Sequence, residues 1–159
     1  MILVTGGCGF IGSNFILDWL AAHDEPVVNV DVLTYAANPK TLASLAADPR
    51  YAFERVDVCD GAALKAVFAK YKPRAVVHFA AESHVDRSIH GPMDFVKTNV
   101  MGTATLLEAS RAHWQALPDA GAQSFRFVHV STDEVFGSLG ATDPKFNELS
   151  QYQPNSPYS

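Results

Sequence analysis

Ser131, Thr132, Asp133 and Glu134 are the residues whose types and spacing could do acid–base chemistry. Two neighbouring carboxylates in a partly dry cleft repel each other, so that one can hold a proton while the other is ionised. The pair then supplies an acid and a base together, with two hydroxyls alongside to orient a polar substrate. A plainer reading makes Asp133 and Glu134 solvated acids that cap the next turn. The elements leading up to them decide between the two.

The approach is a run of apolar and β-branched residues from Phe125 to Val130, which predicts a buried parallel strand ending just before Ser131. In open α/β sheets, ligands sit outside the carboxyl ends of such strands. Further strands are predicted at Ile2 to Thr5, Val27 to Val30, Tyr51 to Val56 and Ala75 to Phe79. The spacing of Phe15, Ile16, Trp19 and Leu20 predicts a helix over Asn14 to Ala22. Others are predicted from Asn38 to Ala47, over Gly61 to Tyr71 and from Met93 to Ala116. Ala80 to His90, Leu117 to Gly121 and Phe136 to Pro154 read as loops or turns, and Ser156 with Pro157 as the start of one more helix. This alternation gives an α/β fold: a Rossmann-like, doubly wound, mostly parallel sheet in the order 3-2-1-4-5.

The first strand runs straight into Gly6-Gly7-Cys8-Gly9-Phe10-Ile11-Gly12. Gly7, Gly9 and Gly12 satisfy G-x-G-x-x-G, while Gly6, Gly9 and Gly12 satisfy G-x-x-G-x-x-G. Either turn lets the backbone approach a pyrophosphate, and the helix behind it offers unpaired N–H groups and the positive end of its dipole. Asp31, closing the second strand roughly twenty residues beyond Gly12, completes a dinucleotide fingerprint. An acid there can bond both ribose hydroxyls and repels a 2′-phosphate, which favours NAD over NADP.

Val32, Leu33, Thr34 and Tyr35 are expected to curl over the adenosine side. Asp57, beside Val58, is a candidate for the adenine amino group or for a simple turn. Ala80 and Ala81 are small enough for a flat ring or a diphosphate to lie close, and Ser83 offers a hydroxyl. Thr98, Asn99 and Gly102, midway along a long helix, imply close packing on a cofactor or a local break, although ordinary helix packing explains Gly102 as well. The histidines around Glu82 and Asp86 match no standard ligand spacing, so they read as structural and no metal site is expected.

The 159 residues suffice for one domain with a sizeable core, and 48% hydrophobic with 18% charged residues is a globular composition. A net charge of -5 gives no basic footprint for nucleic acid. Cys8 and Cys59 form neither a metal motif nor a disulfide framework, which points to a reducing cytoplasm. No apolar run approaches the roughly twenty residues of a membrane span, and no signal peptide is visible.

Three stretches together carry a resemblance: Thr5-Gly6-Gly7-Cys8-Gly9-Phe10-Ile11-Gly12-Ser13, His78-Phe79-Ala80-Ala81-Glu82-Ser83-His84-Val85-Asp86-Arg87-Ser88, and Ser131-Thr132-Asp133-Glu134-Val135-Phe136-Gly137. They resemble the extended short-chain dehydrogenase/reductases, and within them the dTDP-glucose 4,6-dehydratase family. The likeness runs from Met1 to Ser159. Its specific element is the Asp-Glu pair after a Thr, since related 4-epimerases lack the pair and GDP-mannose dehydratases keep only the Glu.

The resemblance implies a lyase that uses NAD. Tyr158 would take the proton of the sugar's 4-hydroxyl, oriented by Thr132, while NAD accepts the hydride. Glu134 would then remove the carbon-5 proton as Asp133 protonates the departing 6-hydroxyl, and the hydride would return to carbon 6, giving dTDP-4-keto-6-deoxyglucose. Beside the glycines Gly6, Gly9 and Gly12, the positions matching the family's NAD contacts are Phe10, Ile11, Asp31, Val32, Leu33, Thr34, Asp57, Val58, Phe79, Ala80, Ala81 and Thr98. Ser83 matches a cofactor or substrate contact, and Asp86 and Arg87 read as fixing their loop.

Two departures stand out. Phe136 occupies a position where many members have Tyr. The Lys of the family's Tyr-x-x-x-Lys turn would fall beyond Ser159. Residues 1–159 are therefore expected to be an NAD-binding Rossmann domain cut before that turn ends, without the nucleotide-sugar domain or the dimerisation helices of a parent homodimer. Such a chain is expected to bind NAD weakly and to leave dTDP-glucose unchanged. The competing readings are another NAD-dependent nucleotide-sugar epimerase or dehydratase, and a non-catalytic NAD-binding fragment.

Overall fold

Valine, isoleucine and leucine crowd Ile2–Thr5 (β1) and Val27–Val30 (β2), and every residue of both strands is buried. A strand apolar on both faces needs a layer of helices on each side. The computed structural model, which describes residues 1–159, provides them around a five-stranded parallel sheet in the order β3-β2-β1-β4-β5. The remaining strands are Tyr51–Glu54 (β3), Ala75–His78 (β4) and Arg126–His129 (β5). The sheet order matches the expected one; the third and fourth strands stop short of Val56 and Phe79.

Side chains alternate across the strands and so build two cores. Leu3, Val28, Val30 and Val76 pack with Leu64, Val67 and Phe68 of helix α2 (Gly61–Tyr71) and with Leu106 and Ala109 of helix α5 (Thr103–Gln115). On the other face, Ile2, Val4, Val27 and Ala75 pack with Ile16 and Leu20 of helix α1 (Phe10–Ala22) and with Leu42 of a 3-10 helix, Pro39–Leu45. Helix α1 starts at Phe10, ahead of the expected Asn14, because the glycine turn leads directly into it.

Several expectations are corrected. The segment read as one loop from Ala80 to His90 contains a short helix, Val85–His90 (α3), whose Val85 carbonyl accepts the buried Ser88 hydroxyl at 2.6 Å. The long helix comes as three pieces: Pro92–Phe95 (α4), the wide π-type turns of Val96–Gly102, and α5. Gly102 gives the reason. A Cβ there would stand 2.7 Å from Val58 Cγ2, so the chain presses against the end of the β3 crossover. The turn expected at Leu117 to Gly121 winds into Asp119–Ser124 (α6).

Strand β5 is the largest correction. It forms an edge of the sheet and is largely exposed, with Val128 at 49% and Val130, just past its end, at 39%. Apolar sequence makes a strand, but only neighbours bury it, and this one pairs with β4 alone. No helix follows Ser156. Its Oγ accepts the Ser159 N–H at 3.1 Å, the bond of an N-cap. No helix is long and apolar enough to cross a membrane.

Candidate active site

At the carboxyl edge of the sheet, Gly6 adopts φ 68, and a Cβ on it would lie 2.6 Å from the Ala80 backbone nitrogen. A Cβ on Gly12 would collide with the Gly6 carbonyl. Gly6, Gly9 and Gly12 line a groove of about 580 Å³, whereas Gly7 is pressed onto Asn29 and Ile16. Of the two glycine spacings in the sequence, the 6-9-12 set therefore faces open space.

Helix α1 begins at Gly9 with no side-chain cap and no acid in its first turn. The amides of Phe10, Ile11 and Gly12 find no acceptor within the protein. Together with the dipole of a full-length helix they form an anion cradle. The absent Cβ atoms, the free amides and the neighbouring acid fit a dinucleotide diphosphate and its ribose.

Asp31 is 8% exposed, and its carboxylate holds both walls of the turn. Oδ2 accepts the Cys8 N–H at 2.9 Å, and Oδ1 accepts the Leu33 N–H at 2.8 Å, with Leu33 in the left-handed region at φ 62. Each oxygen keeps a lone pair for a further donor. Burial and the Asp31 charge push the Cys8 thiol up, so it stays protonated behind the turn. Val32 and Thr34 line the groove, while the Leu33 side chain packs against the core beneath α1. Asp57 faces the groove and also serves its turn, accepting the Cys59 N–H at 2.9 Å.

Val58 also lines the groove, and the wall after β4 carries Phe79, Ala80, Ala81 and Ser83, with Thr98 in the same lining. Asn99 fixes it: its Oδ1 accepts the Glu82 N–H and its Nδ2 donates to the Glu82 carbonyl, each at 2.8 Å. Asp94 and Lys97 also line the groove and were not singled out from the sequence. For Asp94, its place four residues before Thr98, on the same helical face, was the available signal.

Beyond β5, Thr132 Oγ1 accepts the Glu134 N–H at 3.2 Å and caps a 3-10 helix, Asp133–Phe136. The hydroxyl proton of Thr132 is left free to donate. Ser131, Thr132 and Asp133 line a second cavity of about 570 Å³ with Val135, Phe136 and Tyr152. Phe136 stacks on Tyr152 with ring centroids 5.5 Å apart, and the Gln153 N–H bonds the Val135 carbonyl at 3.0 Å, so the following loop folds back as a wall. Ser131 belongs to both cavities. Tyr158 lies in the dinucleotide groove, its ring edge-on to Phe95 at 6.3 Å. Thr132 and Asp133 thus line one cavity and Tyr158 the other, with Ser131 where they meet. Half-buried Glu134 lines neither.

Residues 3–159 match the family described as GDP-mannose 4,6 dehydratase. The chain belongs to that family. Within it, the chain is 56% identical over 158 residues to a dTDP-glucose 4,6-dehydratase of Neisseria meningitidis, covering 99% of this chain and 44% of the relative. It spans a little under half the length of the curated relatives it matches. The crystal structure of DesIV, a dTDP-glucose 4,6-dehydratase from Streptomyces venezuelae with NAD and TYD bound, superposes with a TM-score of 0.87 at 45% identity, covering 99% of this chain and 46% of that one. A UDP-glucose 4-epimerase from Thermus thermophilus in complex with NAD follows at 0.82 and 30%, covering 99% of this chain and 45% of that one.

Proposed function

We propose that this chain is the NAD-binding half of a dTDP-glucose 4,6-dehydratase. The observation that carries the reading is that Thr132 and Asp133, directly followed in the chain by Glu134, line a second cavity that meets the glycine-turn groove at Ser131. The identity to dehydratases supports it, being well above the 30% identity to the epimerase. Because the chain spans a little under half the length of its relatives, we assign the complete activity to a longer protein, and to the 159 residues alone weak NAD binding without dehydration. The parent is proposed to be a homodimer that takes dTDP-glucose as substrate.

In the mechanism, Gly6, Gly9 and Gly12 admit the diphosphate to the amides of Phe10, Ile11 and Gly12, and Asp31 accepts from the adenosine ribose. NAD, when bound, supplies a two-electron acceptor that is restored by the end of the cycle. Thr132 donates its free hydroxyl proton to the sugar's 4-oxygen, and Tyr158 takes the proton leaving that oxygen. Oxidation at carbon 4 acidifies carbon 5. Glu134 takes the carbon-5 proton, and Asp133 protonates the 6-hydroxyl, which leaves as water. Ser83, in the lining of the dinucleotide groove, is a ligand to cofactor or substrate.

The test is product analysis of the full-length protein with dTDP-glucose in deuterated water. A 4-keto-6-deoxy product carrying deuterium at carbon 5 is expected; an epimer with unchanged oxygen count overturns the reading in favour of a nucleotide-sugar epimerase. For the chain alone, calorimetry with millimolar NAD is expected to detect binding. Its absence, or turnover of dTDP-glucose by the purified 159 residues, contradicts the assignment to this half.

A further inference from the structure

Strands β2 and β4 are not neighbours, because β1 lies between them. The loops leaving their carboxyl ends therefore flank the glycine turn at the end of β1, about 10 Å apart at two strand spacings. These loops nevertheless touch. The Tyr35 hydroxyl donates to Glu82 Oε2 at 2.9 Å, and the Arg87 guanidinium carbon lies 3.7 Å from the centre of the Tyr35 ring. By the order of the strands, a contact between them has to pass over the turn that forms the anion cradle.

The bridge is built on fixed ground. Glu82 is held at both its N–H and its carbonyl by Asn99, and Thr34, Ala36 and Ala37 on one side face Glu82 and Ser83 on the other across the same groove. Burial and the Glu82 carboxylate raise the Tyr35 phenol, so it remains a protonated donor at neutral pH. Tyr35 is 57% exposed, so the ring can swing outward without breaking a core.

We propose that Tyr35, Glu82 and Arg87 form a latch across the dinucleotide groove, and that it must open for the cofactor to enter or leave. The proposal rests on the reading of the groove as the NAD site. A latch that closes equally over the empty and the filled groove slows both directions of exchange and leaves affinity little changed.

Stopped-flow mixing of the chain with NADH, followed by its fluorescence, separates the two rate constants. Tyr35→Phe removes the donor but keeps the ring under Arg87, and Glu82→Ala removes the acceptor. Tyr35→Phe is expected to raise kon and koff together by up to about tenfold, the worth of one hydrogen bond, with Kd within about threefold. Glu82→Ala is expected to raise both as well, with kon rising further because a negative charge leaves the groove. The double variant is expected to go no further than Glu82→Ala, since both changes break the same bond. Unchanged rates, a rise in koff alone, or additive effects overturn the latch while leaving NADH binding intact. A wild-type chain with no response to millimolar NADH overturns the groove assignment and the latch with it.

Discussion

Thr5 and His78, at the ends of neighbouring strands β1 and β4, are joined by a 2.6 Å hydrogen bond between Oγ1 and Nδ1. The far nitrogen of the ring meets Thr103 Oγ1 at 2.9 Å, and Thr5 Oγ1 also accepts the Ala80 N–H at 3.2 Å. One buried imidazole thus ties two strands, a helix and the groove loop together. Burial, and secondarily the charge of His129, pushes His78 down to about 4.

That depression makes stability depend on acid in a definite direction. The unfolded chain protonates this ring below roughly 6.5, and the folded chain resists until about 4. The contribution is therefore fully present above pH 6.5 and is lost as pH falls toward 4, reaching about 3 kcal/mol. Urea unfolding at pH 7 and at pH 4.5 measures it. His78→Gln, which cannot charge, is expected to flatten this slope while lowering stability overall.

Asn99→Ala strips both hydrogen bonds from the Glu82 backbone. A loss of about 1–3 kcal/mol in urea unfolding is expected, because a partly buried donor and acceptor are left without partners. Asn99→Asp should not rescue it, since a carboxylate facing the Glu82 carbonyl repels it. Equal stability in Asp and Asn would contradict the paired-bond account.

Asp31→Ala leaves the Cys8 and Leu33 amides without their acceptor, and the first is buried. The expected cost is about 2–4 kcal/mol, with Leu33 relaxing from its left-handed backbone. The same change removes the charge that excludes a 2′-phosphate. Calorimetry with NAD and NADP in parallel is expected to show the preference for NAD shrinking or vanishing.

Gly12→Ala forces a methyl onto the Gly6 carbonyl and the Gly7 Cα, both backbone atoms with no rotamer to escape into. Destabilisation of about 1–3 kcal/mol and loss of NADH binding are expected. Gly61→Ala is the control, since its Cβ meets only a Thr105 methyl at 3.2 Å. If both variants bind alike, the close turn is not what shapes the cradle.

The sheet order was readable because Ile2 to Thr5, the glycines and Asp31 specify a strand, a turn and a neighbouring strand by local chemistry alone. What the sequence hid depends on distant partners. Val128 looks like a core residue, yet whether a valine is covered depends on what lies beside β5. Val85 to His90 has too few apolar residues for a periodic signal, and its helix forms around the buried Ser88. Leu33 matched a cofactor contact by position, but the Asp31 bond that turns its backbone sends the side chain inward. The Tyr35–Glu82 contact joins residues 47 apart in sequence, beyond any local pattern.

The π-type turns of Val96–Gly102 have a consequence for how one long helix serves two purposes. A bond from i to i+5 uses up an extra residue per turn and delays the rotation of everything that follows. Thr98 and Asn99 can therefore point to the groove and its loop while Leu106 and Ala109, a little further on, point into the core. The functional and structural halves of the helix are kept in phase by the slack in those turns. Removing a single residue between Val96 and Gly102 would tighten them to a uniform helix, and the two halves could no longer both face the right way.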